Sequence, residues 1–162
     1  MPAGDRSLQL MDTLASPTLH HPGSNRPTSV RGVRLITLVQ HRDDRGPLAI
    51  LGQDAAQLPF APVRIFFTYE ANEQARGAHA HRGCEQILIC TAGSLQVRVS
   101  DGEDEETITL CGPEQALYLG PMVWAEQFHH QPGTVLMVLA SHPYDETDYL
   151  RDVAQWRQAL KS

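Results

Sequence analysis

From residue 94 to residue 100 polar and apolar positions alternate without a break. Leu95, Val97 and Val99 take one parity, Gln96 and Arg98 the other. A period of two is the mark of a strand with one buried face. Asp101-Gly102 supplies a hairpin turn, and residues 107–111 return with Ile108 and Leu110 inward. The acids Glu103, Asp104, Glu105 and Glu106 then fall at a solvated tip. The same reading predicts strands over 33–39, 48–51, 63–69, 115–119 and 123–128, divided by turn residues such as Asp43-Asp44-Arg45-Gly46-Pro47. Residues 87–90 and 134–140 are apolar on both parities, as a strand buried on both faces requires. The period changes only at the end, where Tyr149, Leu150, Val153, Trp156 and Leu160 recur at helical spacing. Asp145 or Thr147 is the expected cap. Many short strands and one terminal helix predict an all-β sandwich or jelly-roll barrel. Residues 1–31 carry Pro2, Pro17, Pro22 and Pro27 without periodicity. They are expected to form a mobile tail, with at most a short helical turn over 8–14, before a domain spanning 32–162.

A chain of 162 residues is a single domain by size. Its formal net charge of -6 argues against generic nucleic-acid binding, which needs a basic footprint. No run is long enough to span a membrane, and no secretory signal opens the chain. Cys84, Cys90 and Cys111 have no metal-finger spacing. They read as reduced thiols, with Cys84 a small packing residue and the setting cytoplasmic.

The chemistry concentrates in residues 76–93. His79 and His81 are two apart, so both imidazoles face one side of a strand. Three readings follow. With Glu85 they supply three metal ligands; Glu126, His129 or His130 would have to serve as a fourth. As a proton-transfer pair, two rings that titrate near neutrality could serve two adjacent carbons of one substrate. As structural residues, each would need a hydrogen-bond partner to offset desolvation. Arg45 and Arg76, each in a turn beside Gly, are candidates for binding an anion. Tyr118 and Trp124 could stack on a base or sugar ring, with core packing the competing role.

Several stretches together resemble one family. They are Asp44-Arg45-Gly46, Arg76-Gly77-x-His79-Ala80-His81, Glu85-Gln86, Tyr118-x-Gly120-Pro121-x-Val123-Trp124 and Tyr144-Asp145-Glu146-Thr147-Asp148-Tyr149. From about Val33 onward the chain is similar to the sugar 3,4-ketoisomerases, or WxcM-like proteins, of the cupin superfamily. The resemblance implies an RmlC-like cupin jelly-roll barrel and a homodimer. It also implies isomerisation of dTDP-4-keto-6-deoxyglucose, without metal or redox cofactor, in deoxyamino-sugar biosynthesis. It makes His79 the catalytic base with His81 beside it. Arg45, Arg76, Glu85, Gln86, Tyr118, Trp124 and Ala125 then border the substrate. Two positions depart from the family pattern. Arg82 stands where Lys is frequent, and Ala125 where His or Arg is frequent, which leaves the configuration at C4 of the product open. A sugar-nucleotide-binding cupin without catalysis and a metal-dependent cupin enzyme are the alternatives.

Overall fold

The computed structural model describes residues 19–21, 23–52, 57–72 and 74–162. Its strands are β1 (Leu19–His21), β2 (Ser24–Pro27), β3 (Val33–Thr37), β4 (Val39–Asp43), β5 (Gly46–Ile50), β6 (Arg64–Tyr69) and β7 (Arg76–His81). They continue with β8 (Gln86–Ala92), β9 (Ser94–Ser100), β10 (Glu105–Cys111), β11 (Gln115–Leu119), β12 (Trp124–Phe128), β13 (Val135–Ala140) and β14 (Tyr149–Leu150). One helix, α1 (Val153–Ala159), follows. Two antiparallel sheets dominate. One has the order β2-β3-β11-β8-β13-β6, the other β10-β9-β12-β7-β14, and β1-β4-β5 forms a small third sheet.

The alternation in the sequence explains the layers. Leu88 and Cys90 of β8, Leu117 and Leu119 of β11, and Leu136 and Val138 of β13 meet Leu95, Val97, Val99, Ile108 and Leu110 from the facing sheet in one buried core. The opposite parity of β8, Ile87 and Ile89, is buried on the outer side under Leu51, Leu58 and Phe60. That double burial is why β8 is apolar throughout. A third cluster, Ala80, Trp124, Leu150 and Trp156, forms where α1 covers the outside of the smaller sheet.

Three expectations are revised. Regular structure begins before residue 33: β2 pairs with β3 and β1 with β4. Edge pairing uses backbone groups, so it leaves no hydrophobic period to read. The helical turn expected over 8–14 lies outside the described residues. At the other end Tyr149 and Leu150 form a strand on β7. The helix therefore starts later, and Asp152 caps it by accepting from the Gln155 N–H at 2.8 Å. Asp145 instead caps the 3-10 turn Glu146–Asp148. No helix among the described residues is long and apolar enough to cross a membrane.

Candidate active site

The site is built on β7. Ala80 points outward into the cluster beneath α1, so His79 and His81 point into the barrel. Simple alternation would send Arg76 to the opposite side from His79. The register with β12 prevents this: Gln127 faces Arg76, Glu126 faces Gly77, and Ala125 faces His79. Ala78 is the extra residue of a bulge, with φ of 48° beside Gly77 at 83°. The backbones run close here, since a Cβ on Gly77 would lie 3.0 Å from the Ala125 carbonyl oxygen. The bulge puts Arg76 and His79 at one cavity of about 160 Å³, shared with Phe66, Thr68, Gln127 and Tyr149.

The hydrogen bonds of the two imidazoles assign their protons. His81 Nδ1 lies 2.8 Å from Asp148 Oδ2, and a carboxylate can only accept, so Nδ1 carries hydrogen. His79 Nδ1 likewise donates to the Gly77 carbonyl at 2.9 Å. In the neutral rings both Nε2 atoms are then lone-pair acceptors. They face each other at 3.2 Å. The Gln86 amide, also 3.2 Å from His81 Nε2, can donate to it. One further proton placed between the two Nε2 atoms would be shared by both rings. Tyr149 seats the pair, its ring centroid 4.9 Å from that of His79 and 4.3 Å from that of His81.

Burial pushes both histidines below their ordinary pKa. For His79 the Gly77 carbonyl opposes this, while the Arg151 charge adds to it. For His81 the hydrogen bond to Asp148 opposes it, and the positive charges of His79 and Arg64 add to it. Burial alone would raise Asp148. The hydrogen bonds from the Gly83 N–H and from His81 outweigh it and hold the carboxyl below its usual value. The result is a pair of imidazoles kept neutral at physiological pH, one of them braced by an ionised carboxylate.

Of the residues expected at the site, His79, His81, Arg76, Gln86 and Ala125 come together. Glu85, Tyr118, Trp124 and Arg45 do not. Glu85 and Gln86 have opposite parity, so the Glu85 carboxylate turns to the outer face and accepts from Tyr118 Oη at 2.5 Å. Tyr118, between inward Leu117 and Leu119, lies on that outer face with the Arg34 guanidinium 4.3 Å over its ring. Burial and Glu85 push its phenol up to about 12. Trp124 packs outward against Trp156, with centroids 5.3 Å apart, and donates to Glu126. Arg45 sits at the exposed β4–β5 turn, paired with Asp43. The sequence reading missed Asp148 and Tyr149 as site residues. Asp148 is 67 positions from His81, and only its place in the motif Asp145-Glu146-Thr147-Asp148-Tyr149 signalled it.

A metal held by His79, His81 and Glu85 does not fit this arrangement. The Glu85 carboxylate is on the wrong side of its sheet. Glu126 is bound to Arg98 and Trp124, and His129 to Gln96. His81, Cys84 and Asp148 lie within 4.8 Å of one another, but His81 and Asp148 already satisfy each other. Cys84 is buried, without a disulfide, and lines a cavity together with His79, His81 and Gln86.

Residues 31–161 match the family described as "FdtA: WxcM-like, C-terminal". The chain is 39% identical over 119 residues to TDP-4-oxo-6-deoxy-alpha-D-glucose-3,4-oxoisomerase of Aneurinibacillus thermoaerophilus, covering 73% of this chain and 85% of that protein. The sugar 3,4-ketoisomerase QdtA of Thermoanaerobacterium thermosaccharolyticum, solved with TDP, superposes with a TM-score of 0.75 at 36% identity, over 81% of this chain and 96% of that one. The rmlC epimerase of Mycobacterium tuberculosis shares the fold, with a TM-score of 0.68 at 18% identity, over 78% of this chain and 71% of that one. The barrel is therefore an RmlC-like cupin, and the chain belongs to the WxcM-like family.

Proposed function

We propose that the chain is a 3,4-ketoisomerase acting on a TDP-linked 4-keto-6-deoxyhexose in deoxyamino-sugar biosynthesis. A ketone at C4 acidifies the hydrogen at C3. His79 takes that proton on Nε2, and the C3–H electron pair becomes a C3=C4 double bond while the C4 oxygen gains negative charge. Transfer of the 3-hydroxyl proton to the C4 oxygen gives the isomeric enediolate. A proton returned to C4 as the C3 carbonyl forms completes the exchange. His81 Nε2 is an acceptor 3.2 Å from His79 Nε2, so it shares the captured proton, and Asp148 offsets the resulting charge. The observation that carries this reading is that both Nδ1 atoms are committed to fixed acceptors, which leaves the two Nε2 atoms as the lone-pair acceptors that can take and pass a proton. The test is incubation with TDP-4-keto-6-deoxyglucose, followed by trapping with a 3-aminotransferase. A 3-amino sugar supports the assignment; its absence, with the aminotransferase active on an authentic 3-keto substrate, removes it.

A second reading, nucleotide-sugar binding without turnover, is favoured by Ala125. It faces His79 across the sheet and gives that wall no proton donor. This reading requires TDP binding with no exchange of the C3 hydrogen into deuterated solvent.

The chain also fits a homodimer. Ile65, Phe67 and Tyr69 lie on one parity of edge strand β6, Val63 comes just before it, and all four are more than half exposed, a face that a second copy would cover. Light scattering of the purified protein tests this. The three free thiols accord with a reducing, cytoplasmic setting.

A further inference from the structure

Strand β12 sends alternate residues into the barrel. Trp124 and Glu126 are joined to each other on the outer face. Ala125 and Gln127 share the other parity and line one cavity with His79, His81 and Gln86. Ala125, in register with His79, brings no polar group to it. Gln127, in register with Arg76, does. It also lines the neighbouring cavity with His79, Thr68 and Tyr149, so its amide borders both spaces that His79 borders. Gln127 Oε1 is buried and has no hydrogen-bond partner among the described residues. The donors around it are committed elsewhere: His79 Nδ1 to the Gly77 carbonyl, His81 Nδ1 to Asp148, and the Gln86 amide to His81 Nε2.

A buried carbonyl oxygen without a donor carries a desolvation penalty, and nothing in the fold offsets it here. A side chain of the same length without the oxygen would avoid that cost. The oxygen is therefore placed for a donor that arrives with the substrate. A 4-keto-6-deoxyhexose offers two hydroxyls, at C2 and C3. The 3-hydroxyl gives its hydrogen to the C4 oxygen during the isomerisation, and an acceptor holding it would oppose that step. The 2-hydroxyl keeps its hydrogen throughout. It stands on the carbon next to the one whose hydrogen His79 Nε2 removes.

We infer that Gln127 is a specificity-determining residue: its Oε1 accepts a hydrogen bond from the 2-hydroxyl of the sugar, holds C3 against His79 and selects 2-hydroxy over 2-deoxy substrates. The inference rests on the ketoisomerase reading above and deepens it, by naming the hydroxyl that this site demands.

The test compares TDP-4-keto-6-deoxyglucose with its 2-deoxy counterpart in wild type and Gln127→Met. The readout is kcat/KM for exchange of the C3 hydrogen into deuterated solvent. Met keeps the length of the side chain and removes the acceptor. Wild type should prefer the 2-hydroxy sugar by about 10- to 100-fold, because the deoxy sugar leaves the buried acceptor unpaired. In Gln127→Met the 2-hydroxy substrate should lose about that factor. The 2-deoxy substrate should react as well as with wild type or better, so the preference vanishes. An equal loss on both sugars, with the preference kept, is what a structural role predicts and overturns the inference. If Gln127→Met does not fold, Gln127→Leu makes the same comparison. Wild-type protein that exchanges both sugars equally well overturns the inference without any variant and leaves the ketoisomerase reading intact. Wild-type protein that exchanges neither overturns both.

Discussion

Asp148 Oδ2 sits 2.8 Å from His81 Nδ1, and its other oxygen accepts the Gly83 N–H at 2.7 Å. The carboxylate is thus held by the loop after β7 while it holds the second histidine of β7. A residue 67 positions away determines which nitrogen of His81 faces the cavity.

Asp148→Asn tests this relationship. The amide can present its N–H₂ to His81 Nδ1 and reverse the tautomer, placing hydrogen on Nε2 where an acceptor is needed. Turnover should fall by about two orders of magnitude or more. TDP affinity should change little, since Asp148 is placed to act through His81. A purely structural role would lower the melting temperature and leave turnover per folded molecule unchanged.

The pH dependence follows from the lowered histidine pKa values. His79 must be neutral to act as a base, and burial keeps its pKa below the ordinary 6.5. The acid limb of kcat/KM should therefore have its midpoint below 6.5. Stability takes the same sign. Below the unfolded pKa the unfolded chain binds protons that the folded one refuses, so unfolding free energy should fall as pH drops from 6.5 through the folded values. Denaturant titrations at several pH values, with wild type and His81→Asn, measure this. The variant should show the weaker dependence.

Trp124 and Trp156 give a prediction of the opposite kind. Trp156 is buried under α1, stacks on Trp124 and donates to the Met122 carbonyl at 2.7 Å. Trp156→Ala should cost about 3–5 kcal/mol of stability. Activity per folded molecule should persist, because both indoles lie outside the barrel. Loss of activity at unchanged melting temperature would return Trp124 to the substrate site.

These positions also show how far the sequence could be read. The barrel was legible because Leu95, Val97 and Val99 have only one face to bury. The His pair was legible because strand parity joins residues 79 and 81. Tyr118 was open to the same logic, since Leu117 and Leu119 beside it are inward and fix it outward. Trp124 was not, because its outer face is buried by a helix more than 25 residues later and parity cannot report such cover. Arg76 was named from its place beside Gly77, in an expected turn; it instead opens β7 and reaches the cavity through the bulge at Ala78, which parity could not show. Asp148 needed the tertiary fold.

The central claim is that His79 removes the C3 proton, and solvent exchange at C3 in His79→Asn tests it most directly. Asn preserves much of the hydrogen bonding but accepts no proton at neutral pH. The account predicts that incorporation of deuterium at C3 of TDP-4-keto-6-deoxyglucose falls by about 100-fold or more, with the melting temperature and TDP affinity close to wild type. Undiminished exchange in a stable His79→Asn protein would contradict it and transfer the role of base to His81.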